Sequence, residues 1–205
     1  MATPPAGAVR TATLERETAE TSISISVDLD GTGRYAVDTG NGFLDHMVSQ
    51  IARHGLFDID LRAQGDTHVG WHHLVEDTAI MLGRAFGQAL GEPRGIRRMG
   101  HAIVPLDETL VMVAVDWSGR PYTVVDTTLN DSVVESLSGD LVAHFLESFA
   151  IEARINLHAK VLAGVSPHHK AEALCKALAR ALRDAVEPDP RAIDQVPSTK
   201  GTLDG

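Results

Sequence analysis

One pattern is written twice along this chain. Glu20-Thr21 is followed by Ile23, Ile25 and Val27, then Asp28 and Gly31; Glu108-Thr109 is followed by Val111, Val113 and Val115, then Asp116 and Gly119. In both copies apolar residues recur at every second position, the period of a strand with one buried face. A turn closes each segment, Asp30-Gly31-Thr32-Gly33 and Ser118-Gly119-Arg120-Pro121, and a second strand resumes around Tyr35–Val37 and Tyr122–Val125. A β-hairpin is expected from each pair. Phe43, Leu44, Met47, Val48 and Ile51 then recur at spacings of three and four, as do Leu141, Val142, Phe145, Leu146 and Phe149; both sets read as amphipathic helices. Short alternating strands follow, over Phe57–Leu61 and Ile155–Ala159. A second helix closes each copy, stopped by Gly91 with Pro93 in the first and by Pro188 in the second. Each unit is therefore β-β-α-β-α, with room for an extra leading strand. The expected class is α+β, a tandem duplication with two sheets backed by helices. The expected units are 9–92 and 93–190, with 191–205 as a C-terminal tail.

Composition removes several classes of function. The 205 residues carry 18 Lys and Arg against 28 Asp and Glu, a formal net charge of −10, which opposes nonspecific nucleic-acid binding. Aromatics are 4%, too few for base-stacking platforms. No apolar run approaches the roughly 18–20 residues that span a bilayer. The opening MATPPAGAVR lacks the charged start and apolar core of a secretory signal, and Cys175 is the single cysteine. No internal disulfide framework can form, and a reducing, cytoplasmic setting is expected.

Histidine is the unusual residue, with ten in the chain. Six fall in the repeated pattern: His46, His72 and His73 in the first copy, His144, His168 and His169 in the second. Glu76 and Glu172 complete two sets of four. An isolated histidine is ordinarily a core or surface residue; a duplicated His-His-x-x-Glu with a duplicated upstream histidine is not explained that way. Adjacent helical residues point about 100° apart, so each His-His pair is poorly placed to grip one ion and better placed to serve two. Two metal sites, each mixing ligands from both copies, are the simplest arrangement, and the copies can come from different subunits. Imidazole and carboxylate without thiolate suit Mn²⁺, Fe²⁺, Zn²⁺ or Ni²⁺. Four protein ligands on an octahedral ion leave two positions open, as a catalytic metal needs.

The ordered motifs resemble those of the imidazoleglycerol-phosphate dehydratase family. They are Arg16-Glu17-Thr18 with Glu20-Thr21, Gly42-Phe43-Leu44-Asp45-His46-Met47, His72-His73 with Glu76-Asp77, Gly95-Ile96-Arg97-Arg98, Asp107-Glu108, Asp116 through Ser118-Gly119-Arg120-Pro121, His144-Phe145, His168-His169-Lys170 with Glu172, and Pro197-Ser198-Thr199-Lys200-Gly201. The resemblance covers roughly residues 9–203. It departs from the family pattern at Gly70, Trp71 and Leu74, at Ser166-Pro167 and at Leu106, none of them a ligand position. It implies a pair of ribosomal-S5-domain-2-like β-α units and a hydro-lyase of histidine biosynthesis. The implied reaction converts D-erythro-imidazole-glycerol phosphate to imidazole-acetol phosphate and water. The resemblance also implies two Mn²⁺ ions per site and a homo-oligomer, a 24-mer built from trimers. The implied metal ligands are His46, His72, His73, Glu76, His144, His168, His169 and Glu172.

The chemistry asks for further groups. The proton to be lost has no adjacent carbonyl to hold the electron pair, so the substrate's own imidazole, held by metal, must take it up, and a carboxylate must move the proton. Glu20 is the candidate acid/base and substrate contact; its repeat partner Glu108 is a vestige or a structural anchor. The phosphate calls for cations and hydroxyl donors: Arg98, Arg120, Lys176, Lys200 and Ser198. Gln50 and His54 follow His46 by four and eight residues on one helical face and are placed to reach the same ligand. Two other readings share parts of the pattern. A metal-storage or assembly protein would use the His/Glu clusters without Glu20, Arg98, Arg120 and Lys200, and a metallohydrolase would release phosphate.

Overall fold

The computed structural model describes residues 10–203, so the expected start of the first unit at residue 9 lies outside the described residues. Strands β1 (Thr11–Glu17), β2 (Thr21–Asp28) and β3 (Tyr35–Asp38), helix α1 (Gly42–Gly55), strand β4 (Asp58–Gly65) and helix α2 (His72–Leu90) make up the first repeat. The second runs β5 (Met99–Leu106), β6 (Thr109–Asp116), β7 (Tyr122–Asp126), a short ladder of β8 (Val133–Val134) with β9 (Leu137–Ser138), α3 (Asp140–Glu152), β10 (Asn156–Ala163) and α4 (Pro167–Val186). The two main sheets have the same order, β1-β2-β4-β3 and β5-β6-β10-β7. The α+β duplication read from the sequence is present, with the extra leading strand in both copies.

The hairpins fall one strand earlier than the sequence pattern predicts. β2 pairs antiparallel with β1 on one side and with β4 on the other, while β3 lies parallel to β4 at the rim. The second sheet repeats this, with β10 between β6 and β7. Burial explains the order. Rim strands β3 and β7 bury no residue fully, whereas β4 and β10 bury Ile59, Leu61 and Ala63, and Leu157, Ala159 and Val161. A strand with a continuous apolar face gains most from the central place. The parallel β3–β4 and β7–β10 pairs need a crossover, and α1 and α3 supply it.

Each sheet carries two helices on its inner face: α1 and α2 on the first, α3 and α4 on the second. The helix layers then meet, α1 against α4 and α2 against α3. A single buried cluster runs through both repeats. Phe86 joins them: its ring meets Phe57 edge-on at 4.9 Å and Phe149 edge-on at 5.5 Å. Closeness at the α2–α3 crossing depends on Gly83, where an added Cβ would sit 2.4 Å from the carbonyl oxygen of Phe149.

Gly83→Ala is expected to destabilise the protein by about 1–3 kcal/mol, the usual cost of overpacking. Thermal denaturation followed by circular dichroism checks this; an unchanged midpoint would show that the two helices separate freely.

Candidate functional site

The helix crossings decide which histidines meet. α1 carries His46 and packs on α4, which carries His168 and Glu172. His46 Nε2 and His168 Nε2 lie 3.1 and 3.2 Å from the same Glu172 Oε2. α2 carries His72 and Glu76 and packs on α3, which carries His144. His144 Nε2 is 3.3 Å from Glu76 Oε1, His72 Nε2 is 4.0 Å from Glu76 Oε2, and the two imidazoles stack with centroids 4.7 Å apart. In each triplet one donor atom per residue lies within 4.8 Å of the others. Each triplet takes its lone histidine from one repeat and its i,i+4 His–Glu pair from the other.

The second histidine of each pair turns away. The rings of His72 and His73 are 87° apart, and those of His168 and His169 are 83° apart. His73 Nδ1 lies 3.1 Å from Asp66 and 3.9 Å from Glu20. His169 Nδ1 lies 2.8 Å from Glu108. Within one chain, then, three of each expected four donors converge, and His73 and His169 stand outside.

Local sequence sets these positions. The Asn41 side chain accepts from the backbone N–H groups of Phe43 and Leu44 and starts α1 just before His46. Ser166, one of the departures from the family pattern, caps α4 by accepting from His169 N, with Pro167 in the first turn. Leu74, another departure, is buried in the core. Trp71 starts α2 without a side-chain cap.

The electrostatics differ between the groups. Burial alone would raise the Glu172 carboxyl, but hydrogen bonds from Lys176, at 2.5 Å, and from His46 hold it at about 2. Burial lowers the pKa of His54, and the charges of Lys176 and Arg180 lower it further. The hydrogen bond to Asp66 raises His73, and the one to Glu108 raises His169. The backbone N–H of Ser166, then His169, holds Glu108 well below the usual carboxylate range.

Glu20 and Glu108 occupy equivalent repeat positions and have different surroundings. Glu108 Oε1 accepts from the N–H groups of Val165 and Ser166 at 3.1 and 2.8 Å while Oε2 holds His169; its contacts are those of a structural anchor. The Glu20 carboxylate is exposed and makes no hydrogen bond among the described residues. Asp66 and Glu135, which holds His168 Nδ1 at 3.0 Å, escaped the sequence reading. Both sit in loops, where no periodicity marks them, and their lone carboxylates match no repeat.

The remaining candidates fall into two groups. Gln50 Nε2 lies 3.4 Å from His46 Nδ1, and Lys176 and His54 belong to the same α1–α4 face. Arg98, Arg120, Ser198 and Lys200 line a separate pocket of about 510 Å³ formed with the tail. Arg98 holds the Asp116 carboxylate through two donors, at 2.6 and 2.9 Å, and the carbonyl of Pro197 through a third, at 2.7 Å.

The sequence model of a family described as imidazoleglycerol-phosphate dehydratase matches residues 39–182. The chain belongs to this family. Its activity is accordingly that of a hydro-lyase. The imidazoleglycerol-phosphate dehydratase of Dehalococcoides mccartyi is 55% identical over 95% of this chain and 98% of its own length, and that of Roseiflexus sp. is 55% identical with the same coverage. The crystal structure of the Staphylococcus aureus enzyme of this name superposes with a TM-score of 0.78 at 32% identity, covering 87% of this chain and 99% of that one. The Pyrococcus furiosus structure gives 0.79 at 35% identity, covering 92% and 99%. Among the described residues no helix is long and apolar enough to cross a membrane.

Arg98→Ala is expected to release the tail and to cost about 1.5–3 kcal/mol, the range for hydrogen bonds to charged groups. Limited proteolysis with mass spectrometry should find new cleavage within residues 191–203; unchanged protection would mean the tail is held elsewhere.

Proposed function

We propose that this protein dehydrates imidazoleglycerol phosphate in histidine biosynthesis at a site holding two Mn²⁺ ions, in a homo-oligomer that assembles from trimers into a 24-mer in the cytoplasm. The observation that supports a metal is His144. Its Nε2 is buried and, although 3.3 Å from Glu76 Oε1, is not aligned to hydrogen-bond to it, and a buried polar atom left so costs about 1–3 kcal/mol. A cation bound with Glu76 and His72 would satisfy it. The donor set fits as well, since each triplet offers two imidazoles and one carboxylate and no thiolate.

One ion would be held by His46, His168 and Glu172 and the other by His72, Glu76 and His144. His73 and His169, turned outward, would complete the sites of neighbouring subunits and so tie assembly to metal. When bound, the ions supply Lewis-acid polarisation of the substrate imidazole and a template that orients it.

The chain's own residues divide the remaining work. Arg98, Arg120, Ser198 and Lys200 bind the phosphate, as their shared pocket supports. Gln50, His54 and Lys176 face the ligand from the α1–α4 side, and Lys176 keeps Glu172 ionised. Glu20 moves the proton: its exposed carboxylate takes the proton from C2, and the electron pair of that C–H bond forms the C2–C3 double bond as the C3–O bond breaks. The same carboxyl returns the proton to the departing hydroxide, which leaves as water; the resulting enol becomes the ketone. Glu108 lacks that freedom because both of its oxygens are engaged.

Glu20→Gln should lower kcat by about 10²–10⁴, the usual size of general acid–base catalysis, with metal content and particle mass unchanged. Lys200→Ala should instead raise KM. Both are measured by following the ketone product at saturating Mn²⁺, and near-normal turnover in Glu20→Gln would move the proton transfer to another group.

Chelation should break the 24-mer into trimers, and Mn²⁺ should restore it. Analytical ultracentrifugation reads the mass; an identical mass with and without chelator would sink the sharing of ligands between subunits.

A further inference from the structure

Three imidazoles of the paired motifs share one arrangement. His73, His168 and His169 each rest Nδ1 on a carboxylate: Asp66 at 3.1 Å, Glu135 at 3.0 Å and Glu108 at 2.8 Å. The three acids come from different places: the loop after β4, the turn between β8 and β9, and the turn between β5 and β6. An ionised carboxylate only accepts hydrogen bonds, so in the neutral ring Nδ1 is the nitrogen that carries the proton and Nε2 keeps its lone pair. That tautomer is the one able to bind a cation through Nε2, and a carboxylate behind the ring also makes Nε2 a stronger donor. His168 already directs Nε2 at the α1–α4 triplet, 3.2 Å from Glu172.

The two repeats reach this arrangement by different routes. In the second, Glu108 both caps the start of α4 and holds His169. The stretch after β10, Gly164-Val165-Ser166, carries no acid to share the task. In the first repeat Glu20 stands where Glu108 does, yet Asp66 has taken the imidazole, and Glu20 Oε2 is left 3.9 Å from it.

We propose that Asp66, Glu108 and Glu135 are positioning residues that hold His73, His169 and His168 with Nδ1 protonated and Nε2 open to a divalent cation, and that Asp66 thereby frees Glu20 from the anchoring task Glu108 performs. The proposal rests on the reading of these three histidines as metal ligands. It separates two glutamates that the repeat makes equivalent: one is held by structure, and the other is released for chemistry.

The test uses the full chain and Mn²⁺ alone, with free ion read by electron paramagnetic resonance during titration. Asp66→Ala and Glu135→Ala are expected to weaken Mn²⁺ binding by about 10–100-fold, as loss of such outer partners does, while Glu20→Gln binds as the parent protein does. His73→Ala and His168→Ala serve as references. If these two bind Mn²⁺ normally, the ligand reading itself fails. If they lose binding while Asp66→Ala and Glu135→Ala keep it, the positioning role alone is overturned. Should Asp66→Ala not fold, Asp66→Asn carries the test. It keeps an acceptor oxygen without the charge, so about a 10-fold weakening is expected, and unaltered binding again overturns the proposal.

Discussion

The crossing of α1 on α4 and of α2 on α3 is the contact on which the rest of this molecule depends. Each repeat by itself is a sheet with two helices on one face, and the outer faces of those helices are apolar. Leu44, Met47 and Ile51 on α1, Leu82 and Phe86 on α2, Phe145 and Phe149 on α3, and Leu174 and Leu178 on α4 are all buried. Burying such side chains contributes about 1.5–3 kcal/mol each, so neither repeat keeps its own helices dry without the other. The same crossings bring His46 to Glu172 and His144 to Glu76. Hydrophobic burial therefore positions the polar site, and a change in helix packing moves donor atoms as well.

Duplication followed by divergence gives the site its division of labour. The two triplets are related by the repeat and use the same residue types. Around them the copies differ. Ser166 caps α4, whereas α2 starts at Trp71 without a side-chain cap. Glu108 is held by two backbone N–H groups and an imidazole, whereas the Glu20 carboxylate makes no hydrogen bond among the described residues. Catalysis of a dehydration needs a carboxylate that can change protonation, and a carboxylate pinned by several donors holds its charge too firmly to do so. Glu108 is pinned in that way, and Glu20, to which we assign the proton transfer, is not.

Much of this was legible in the sequence. Alternation marked the strands, spacings of three and four marked the helices, and the doubled His/Glu pattern marked the ligand candidates, because these signals repeat at short range and twice over. The pairing of strands was not legible. β2 and β3 look like a hairpin along the chain, but β4 has the longer buried face and takes the place between them. Nor were Asp66 and Glu135 legible, since a single carboxylate on a loop has no period, and its partner histidine is fixed only when the helices are packed.

The sequence alone determined the class of elements, the duplication, the residue types of the site and the family to which the chain belongs. All of these follow from local periodicity and from motifs that are read in order. The mixing of ligands from both repeats was expected from the doubled pattern, but only the tertiary structure decided which three residues form each triplet and that His73 and His169 turn away from it. It also showed that both oxygens of Glu108 are engaged, as in an anchor, while the Glu20 carboxylate lies 3.9 Å from His73 and makes no hydrogen bond among the described residues. Those outcomes depend on which helix faces meet and which loops lie beside them, and burial of apolar surface across the two repeats sets both.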